Sequence, residues 1–194
     1  ITTYAYDRQH RLTFVAYGAV GQIAYSYDLI GNRLTEIGVD PSESTPVNRG
    51  YAYDRLNHLI AITDVLHTNE SEAYDYDENG NRTVRIVGQI NVSDGSNGNP
   101  TVNVQSPAAF TPYEYNVRDE LVRTIDGQGG DVTFGYTAGL RDTKITSSGT
   151  THYLRDAAAT LVEYDAAGRT LRKYDYGYEL LSMTEVDPAT QARN

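Results

Sequence analysis

The sequence predicts an all-β protein: tandem antiparallel β-hairpin repeats wound into one large twisted, curved sheet, a partial shell or barrel. Two observations predict it. A Tyr-x-Tyr-Asp element recurs along the 194 residues. Three positions after its Asp, or the Asn in that place, stands a residue that tolerates left-handed backbone, in copy after copy.

The clearest copy runs from Tyr25 to Ile37. Tyr25 and Tyr27 are two apart, so in a strand they share a face. Asp28 opens a tight turn, where its carboxylate accepts backbone N–H groups two residues on. Gly31 closes the turn at the position of a three-residue hairpin loop that needs φ > 0. Leu34 to Ile37 run back as the second strand. Tyr4-Ala5-Tyr6-Asp7, Tyr51-Ala52-Tyr53-Asp54, Tyr74-Asp75-Tyr76-Asp77 and Tyr113-Glu114-Tyr115-Asn116 repeat the first half. Tyr164-Asp165 with Gly168 repeats the turn, and Phe134-Gly135-Tyr136 is a worn copy. The closing position holds His10, Gly31, Asn57, Gly80, Asp119 and Gly168. Such a repeat is one supersecondary unit that buries its surface against its neighbours.

Hairpins are expected over 4–183, as one repeat segment spanning 1–194. From Asp7 to Asp28 the step is 21 residues, from Asp28 to Asp54 it is 26, and from Asp77 to Asn116 it is 39. The first excess falls in a loop marked by Asp40-Pro41 and Thr45-Pro46. The second falls in 88–111, expected as an insertion loop around Asp94-Gly95 and Asn99-Pro100. Ile90, Val92, Val102 and Val104 alternate on its two sides, the pattern of a small protruding hairpin. Leu59 to Ile62 are apolar on both faces and belong inside a sheet. Residues 127–130 read as a flexible turn, Ala157 to Ala159 as the only hint of helix, and 184–194 as a frayed tail. The residues between paired tyrosines are small or charged, so the Tyr face is expected to be the more buried one. Neither end hairpin has a capping element. The edges are therefore expected to meet further strands, from a longer protein or from identical subunits.

Composition narrows the function. The net charge is −10, which argues against nucleic acid as partner, since phosphate contacts dominate such binding. Cysteine is absent, so there is no disulfide, thiolate metal site or cysteine nucleophile. Seventeen tyrosines against no Trp and 3 Phe fit strands that need large side chains with a wet tip. No run approaches the roughly 18 apolar residues of a membrane span. The chain begins at Ile1, as expected of a piece or a processed product.

The run Tyr-x-Tyr-Asp-x-x-Gly-x-Arg-Leu, complete from Tyr25 to Leu34, resembles the signature of the Rhs/YD-repeat family. So does Tyr164-Asp165-Ala166-Ala167-Gly168-Arg169 with Tyr174-Asp175-Tyr176-Gly177. The resemblance extends from Tyr4 to Met183. It implies hairpins wound spirally into a β-sheet. In bacterial toxins of the family that sheet is a hollow shell around a C-terminal toxin, and teneurins carry a related barrel. Family toxins close their repeats with an aspartyl self-cleavage site built on Asp-Pro-x-Gly. Here Asp187-Pro188 is followed by Ala189 and Thr190, so that site does not match.

Other chemistry finds little support. Asp75 to Gly80 matches the start of a calcium loop, but its twelfth position is Ile86 where a bidentate Glu is required. His10, His58, His67 and His152 lack metal-ligand spacing. No nucleophile elbow or dinucleotide glycine pattern is present. The expectation is a structural, non-catalytic, secreted or cell-surface segment with no cofactor, for which the family resemblance implies an enclosed toxin domain as partner. The alternatives are a self-assembling fibre or tube subunit joined through sheet edges, and a carbohydrate or cell-surface binding module.

Overall fold

Among the described residues, sixteen antiparallel strands follow one another in chain order in one sheet. They are β1 (Thr3–Tyr6), β2 (Leu12–Ala16), β3 (Gln22–Tyr27), β4 (Arg33–Val39), β5 (Pro46–Tyr53), β6 (Leu59–Asp64), β7 (Ser71–Tyr76) and β8 (Arg82–Asp94), followed by β9 (Pro100–Tyr115), β10 (Leu121–Ile125), β11 (Asp131–Thr137), β12 (Leu140–Thr146), β13 (Gly149–Asp156), β14 (Ala159–Asp165), β15 (Thr170–Tyr176) and β16 (Leu180–Glu185). The computed structural model describes residues 1–41, 45–95, 99–176, 179–187, 189, 190 and 192. Among them the one helical element is a 3₁₀ turn, Thr68–Glu70, and no helix is long and apolar enough to cross a membrane. Gly177 and Pro188, singled out in the sequence, lie outside the described residues. The chain divides into two compact units, Ile1–Phe110 and Thr111–Asn194.

The repeat geometry follows from the turn chemistry. His10, Asn57 and Asp119 take φ of 61°, 71° and 59°, and Gly31, Gly80 and Gly168 take 108°, 84° and 78°. Beside each such turn the register slips by one residue at the second tyrosine or its equivalent, as at Ala5/Tyr6, Ser26/Tyr27, Ala52/Tyr53 and Asp75/Tyr76. This is the bulge that accompanies a three-residue hairpin loop ending in left-handed backbone.

In the first unit the dry layer lies on the face opposite the tyrosines. Ala52 faces Ala61, Ala61 faces Ala73, and Ala73 faces Ile86 across β5 to β8. Ala61 is 0% exposed and Ala73 5%. Ile90, Val92 and Val102 pack onto this alanine row. Val92 also lines a small cavity with Leu34, Gly50 and Thr63, residues of β4 to β6. A straight β8 would hold Val92 several strand spacings away from these residues, so the outer half of the β8–β9 hairpin folds back over the sheet. The bend is at Gly88, whose φ is 157° and where a Cβ would stand 2.2 Å from the Ser106 carbonyl oxygen.

Several expectations are thereby corrected. Residues 88–111 are not an insertion loop: the apolar alternation carries β8 to Asp94 and starts β9 at Pro100, and the hairpin covers the sheet instead of protruding. The tyrosine side is the more exposed one where that hairpin lies on the other face. Most motif tyrosines are half-buried, while Tyr4, Tyr6 and Tyr176 are exposed on or next to the edge strands. Ala157 is not helical. Its φ of 48° places it in the two-residue turn between β13 and β14. The tail is held beyond residue 184: Val186 is 7% exposed and its N–H donates to the Leu171 carbonyl at 2.9 Å.

Candidate functional site

The motif side chains hold strands to one another. In each turn one carboxylate oxygen accepts the N–H groups two and four residues on. Asp7 takes those of Gln9 and Arg11 at 2.8 and 2.9 Å, Asp77 those of Asn79 and Asn81 at 3.0 and 2.8 Å, and Asp165 those of Ala167 and Arg169 at 2.9 Å each. Asp28 and Asp54 do the same with Ile30 and Asn32 and with Leu56 and His58. Asp126, immediately before the segment 127–130 read as a flexible turn, builds the same structure with Gln128 and Gly130. Its Asp-x-x-Gly spacing was visible in the sequence, but no tyrosine precedes it.

The second carboxylate oxygen meets a side chain four residues on, a position the motif does not include. Arg11 donates to Asp7 at 2.6 Å, Asn32 to Asp28 at 2.8 Å, and Asn81 to Asp77 at 3.0 Å. His58 Nδ1 meets Asp54 at 3.0 Å, and Arg169 donates to Asp165 at 2.7 Å. Where the turn begins with Asn116, the partner is an acceptor instead, Glu120, at 2.6 Å. The swap follows from hydrogen-bond polarity, since an amide offers N–H where a carboxylate offers oxygen. The Arg11 N–H is the main cause holding the Asp7 carboxyl below its ordinary value, as the Arg169 N–H is for Asp165 and the Asn81 amide for Asp77. For Asp28 and Asp54, loss of water pushes upward, and the donors on Asn32 and His58 outweigh it.

Seams between hairpins are closed by tyrosine hydroxyls. Tyr27 donates to the Leu12 carbonyl, Tyr76 to Leu59 and Tyr136 to Leu121, each at 2.8 Å. At each seam the strand register stops short of that carbonyl, and the hydroxyl satisfies it. Guanidinium groups lie over the rings: Arg11 over Tyr27, Arg33 over Tyr25 and Arg82 over Tyr74, at 4.9, 4.8 and 4.4 Å.

Two cross-strand rows have matching order. In the first unit Tyr25 faces Glu36, Glu36 faces Arg49, and Arg49 faces Asp64. In the second, Tyr153 faces Glu163, Glu163 faces Arg172, and Arg172 faces Glu185. Tyrosines from flanking positions bind these acids, Tyr51 to Glu36 at 2.6 Å and Tyr174 to Glu163 at 2.5 Å. Burial, and then the carboxylate, push both phenols up to about 12. Each unit has a groove by its row. One of about 490 Å³ is lined by Arg49, Tyr51, Asp64, Glu72 and Arg85. One of about 600 Å³ is lined by Lys144, Tyr153, Glu163, Arg172 and Glu185.

The remaining candidates have structural partners. Asp64, 4% exposed, accepts the N–H groups of Leu66 and His67 at 2.9 Å each and anchors the β6–β7 connection. Burial pushes its carboxyl up, but those N–H groups, His67 and Arg49 carry the balance below the ordinary value. His58 stacks on Tyr76 at 4.7 Å and His152 on Tyr164 at 5.2 Å. The Asp77 carboxylate, at the third position of the calcium-like run, is occupied by its own turn. Among the described residues no three His, Cys, Asp or Glu side chains group as a metal site.

No family model matches the chain. Over 171 residues, 84% of the chain, it is 31% identical to the tRNA3(Ser)-specific nuclease WapA of Bacillus spizizenii, and it spans 6% of that protein's length. Among solved structures, a chain of TcdB2–TccC3–Cdc42 matches 99% of this chain with a TM-score of 0.55 at 13% identity. A chain of the Photorhabdus luminescens Tc holotoxin pore carrying a TccC3 substitution gives the same values, and TcdB2–TccC3–TEV gives 0.51 at 16%. In each case this chain spans 10% of the solved one. At such identities the likeness speaks for the fold.

Proposed function

We propose that this chain is a non-catalytic β-shell or scaffold segment of a secreted or cell-surface Rhs/YD-repeat protein, in which the shell encloses a toxin domain. The observation that carries this reading is how the motif side chains are used. The turn acids and seam tyrosines hydrogen-bond to the turns and strands that form the sheet. Similarity to WapA and the fold shared with TcdB2–TccC3 chains support it. The edges support it too. Tyr4 and Tyr6 of β1 are 58% and 59% exposed, and Leu181 and Met183 of β16 are 73% and 52% exposed. Apolar and aromatic edge strands with unpaired N–H and C=O groups are templates for further strands. On this reading the neighbouring strands come from the same longer protein.

Amide hydrogen exchange tests it. Strands β1 and β16 should exchange fast in the 194-residue chain alone and slowly in the longer protein that contains it. Equal exchange in both would sink the scaffold reading. So would turnover of an RNA substrate by the purified chain that one Asp or His replacement abolishes. Filaments of the chain alone in electron micrographs would favour self-assembly through the same edges.

A further inference from the structure

The hairpins from β1–β2 to β11–β12 alternate between two types. The residue facing the second aromatic of each motif is Leu12, Arg33, Leu59, Arg82, Leu121 and Arg141 in turn. The left-handed residue two places earlier alternates with it. His10, Asn57 and Asp119 precede the leucines, and Gly31, Gly80 and Gly139 precede the arginines. Each arginine lies over the first aromatic of its own hairpin, Arg33 over Tyr25, Arg82 over Tyr74 and Arg141 over Phe134, at 4.8, 4.4 and 4.0 Å. Seams from a leucine hairpin to an arginine hairpin are closed by the hydroxyls of Tyr27, Tyr76 and Tyr136. At the seam β4 to β5, from an arginine hairpin to a leucine hairpin, the arginine strand supplies the contacts instead. Arg33 reaches the Tyr51 ring at 5.8 Å, and the Tyr51 hydroxyl donates to Glu36 at 2.6 Å.

Tyr4 holds in β1 the place that Tyr51 holds in β5, as the first tyrosine of a leucine hairpin. Tyr51 is half-buried, whereas Tyr4 is 58% exposed. Among the described residues no cation lies over the Tyr4 ring and no group accepts its hydroxyl hydrogen. We propose that the free edge of β1 accepts a strand of the arginine type, one that lays a guanidinium over Tyr4 and offers a carboxylate to its hydroxyl. In β4 these two groups, Arg33 and Glu36, are three residues apart, and Thr35 between them faces Gly50, the residue before Tyr51. The same register on β1 sets the residue before the carboxylate against Thr3. The partner is thus an extended Arg-x-x-Glu segment that pairs antiparallel with β1. Its source rests on the scaffold reading: the strand belongs to the longer protein. A second copy of this chain does not supply it, because the last strand, β16, carries Leu180 in the arginine's place. A leucine there leaves the Tyr4 ring without a cation.

The test is titration of the 194-residue chain with a synthetic peptide of residues 22–39, the arginine hairpin β3–β4, followed by NMR shift mapping. A peptide of residues 46–64, the leucine hairpin β5–β6, is the comparison, with a third peptide of residues 22–39 carrying Arg33→Leu and Glu36→Gln. The arginine hairpin should bind saturably and shift the amides of Thr3 to Tyr6. The other two peptides should bind about tenfold more weakly, having lost the cation over the ring and the acceptor at the hydroxyl. All substitutions are in the peptides, so misfolding of the chain does not intervene. No saturable shift by about 5 mM of the arginine hairpin overturns the proposal. So do shifts confined to strands other than β1, or equal affinities of the three peptides. Slow exchange of β1 in the longer protein together with equal peptide affinities would overturn the arginine assignment and leave the scaffold reading standing. Fast exchange there with selective binding of the arginine hairpin would support the assignment and sink the scaffold reading.

Discussion

The first and second units use the same hairpin but are held together differently. In the first, the alanine row of β5 to β7 forms a dry layer with Ile90, and the folded-back β8–β9 hairpin covers it. In the second, Val132 and Val186 are buried, at 5% and 7% exposure, without joining any such cluster among the described residues. Its strands are instead linked by rows of ion pairs such as Glu163–Arg172–Glu185, and by Arg123 between Glu114 and Asp131. Buried apolar surface contributes about 25 cal/mol per Å², whereas an exposed ion pair contributes about 0–1 kcal/mol. The repeat by itself therefore supplies edge-to-edge bonding. The apolar layer comes from the long β8–β9 hairpin, and the first unit should be the more stable of the two.

Removing the layer is the strongest way to break this difference. Ile90→Ala should cost about 2–4 kcal/mol in urea unfolding, because the side chain is 6% exposed and its neighbours are backbone-stiff strands. Leu154→Ala, at a residue 54% exposed in the second unit, should cost less than about 0.5 kcal/mol. Comparable losses at the two sites would mean that the β8–β9 hairpin does not cover the sheet in solution.

The seams should show no such difference. Tyr76 in the first unit and Tyr136 in the second each donate to a carbonyl left over by the strand register. Tyr76→Phe and Tyr136→Phe should each cost about 1 kcal/mol, the ordinary net value of one such bond. Unequal costs would show that packing around the ring, not the hydroxyl, closes the seam.

How much of this was legible in the sequence varies with the range of the interaction. The turns were readable because His10, Asn57, Asp119 and the closing glycines report a local backbone requirement. The all-β antiparallel class followed from them. The partner four residues after each turn acid was also local, and it escaped because Arg11, Asn32, His58 and Asn81 share no chemical type. They share only a polarity that complements the acid. The fold-back of β8 was not readable. Alternation of Ile90 with Val92 and Val102 with Val104 shows that one face is apolar, but not which distant surface it meets. That is decided by the bend at Gly88 and the close approach of Ser106. The grooves were unreadable for a related reason. Glu163, Arg172 and Glu185 become neighbours only through strand register, and unequal loop lengths hide that register.

The smallest effect tests the turn acids, of which Asp77 and Asp165 differ in the side chain four residues on. Asp77→Asn keeps an oxygen for the N–H groups of Asn79 and Asn81, and the Asn81 amide can rotate to offer its own oxygen to the new N–H₂. Asp165→Asn keeps the same backbone bonds but sets its amide against Arg169, which has only donors. The native Asn116–Glu120 pair shows the compatible arrangement. Asp165→Asn should therefore lower Tm by a few degrees, Asp77→Asn by less, and Asp165→Asn with Arg169→Glu should recover most of the loss. Acid gives an independent reading of the same groups. Both carboxyls are held below their ordinary value, so their contribution is full above the unfolded carboxylate pKa of about 3.9 and is lost as pH falls through the folded value. An amide does not titrate. Circular dichroism between neutral pH and about pH 2 should show the Asp77→Asn chain losing less stability on acidification than the parent. Identical acid transitions in the two chains would mean that the Asp77 turn does not contribute to acid sensitivity.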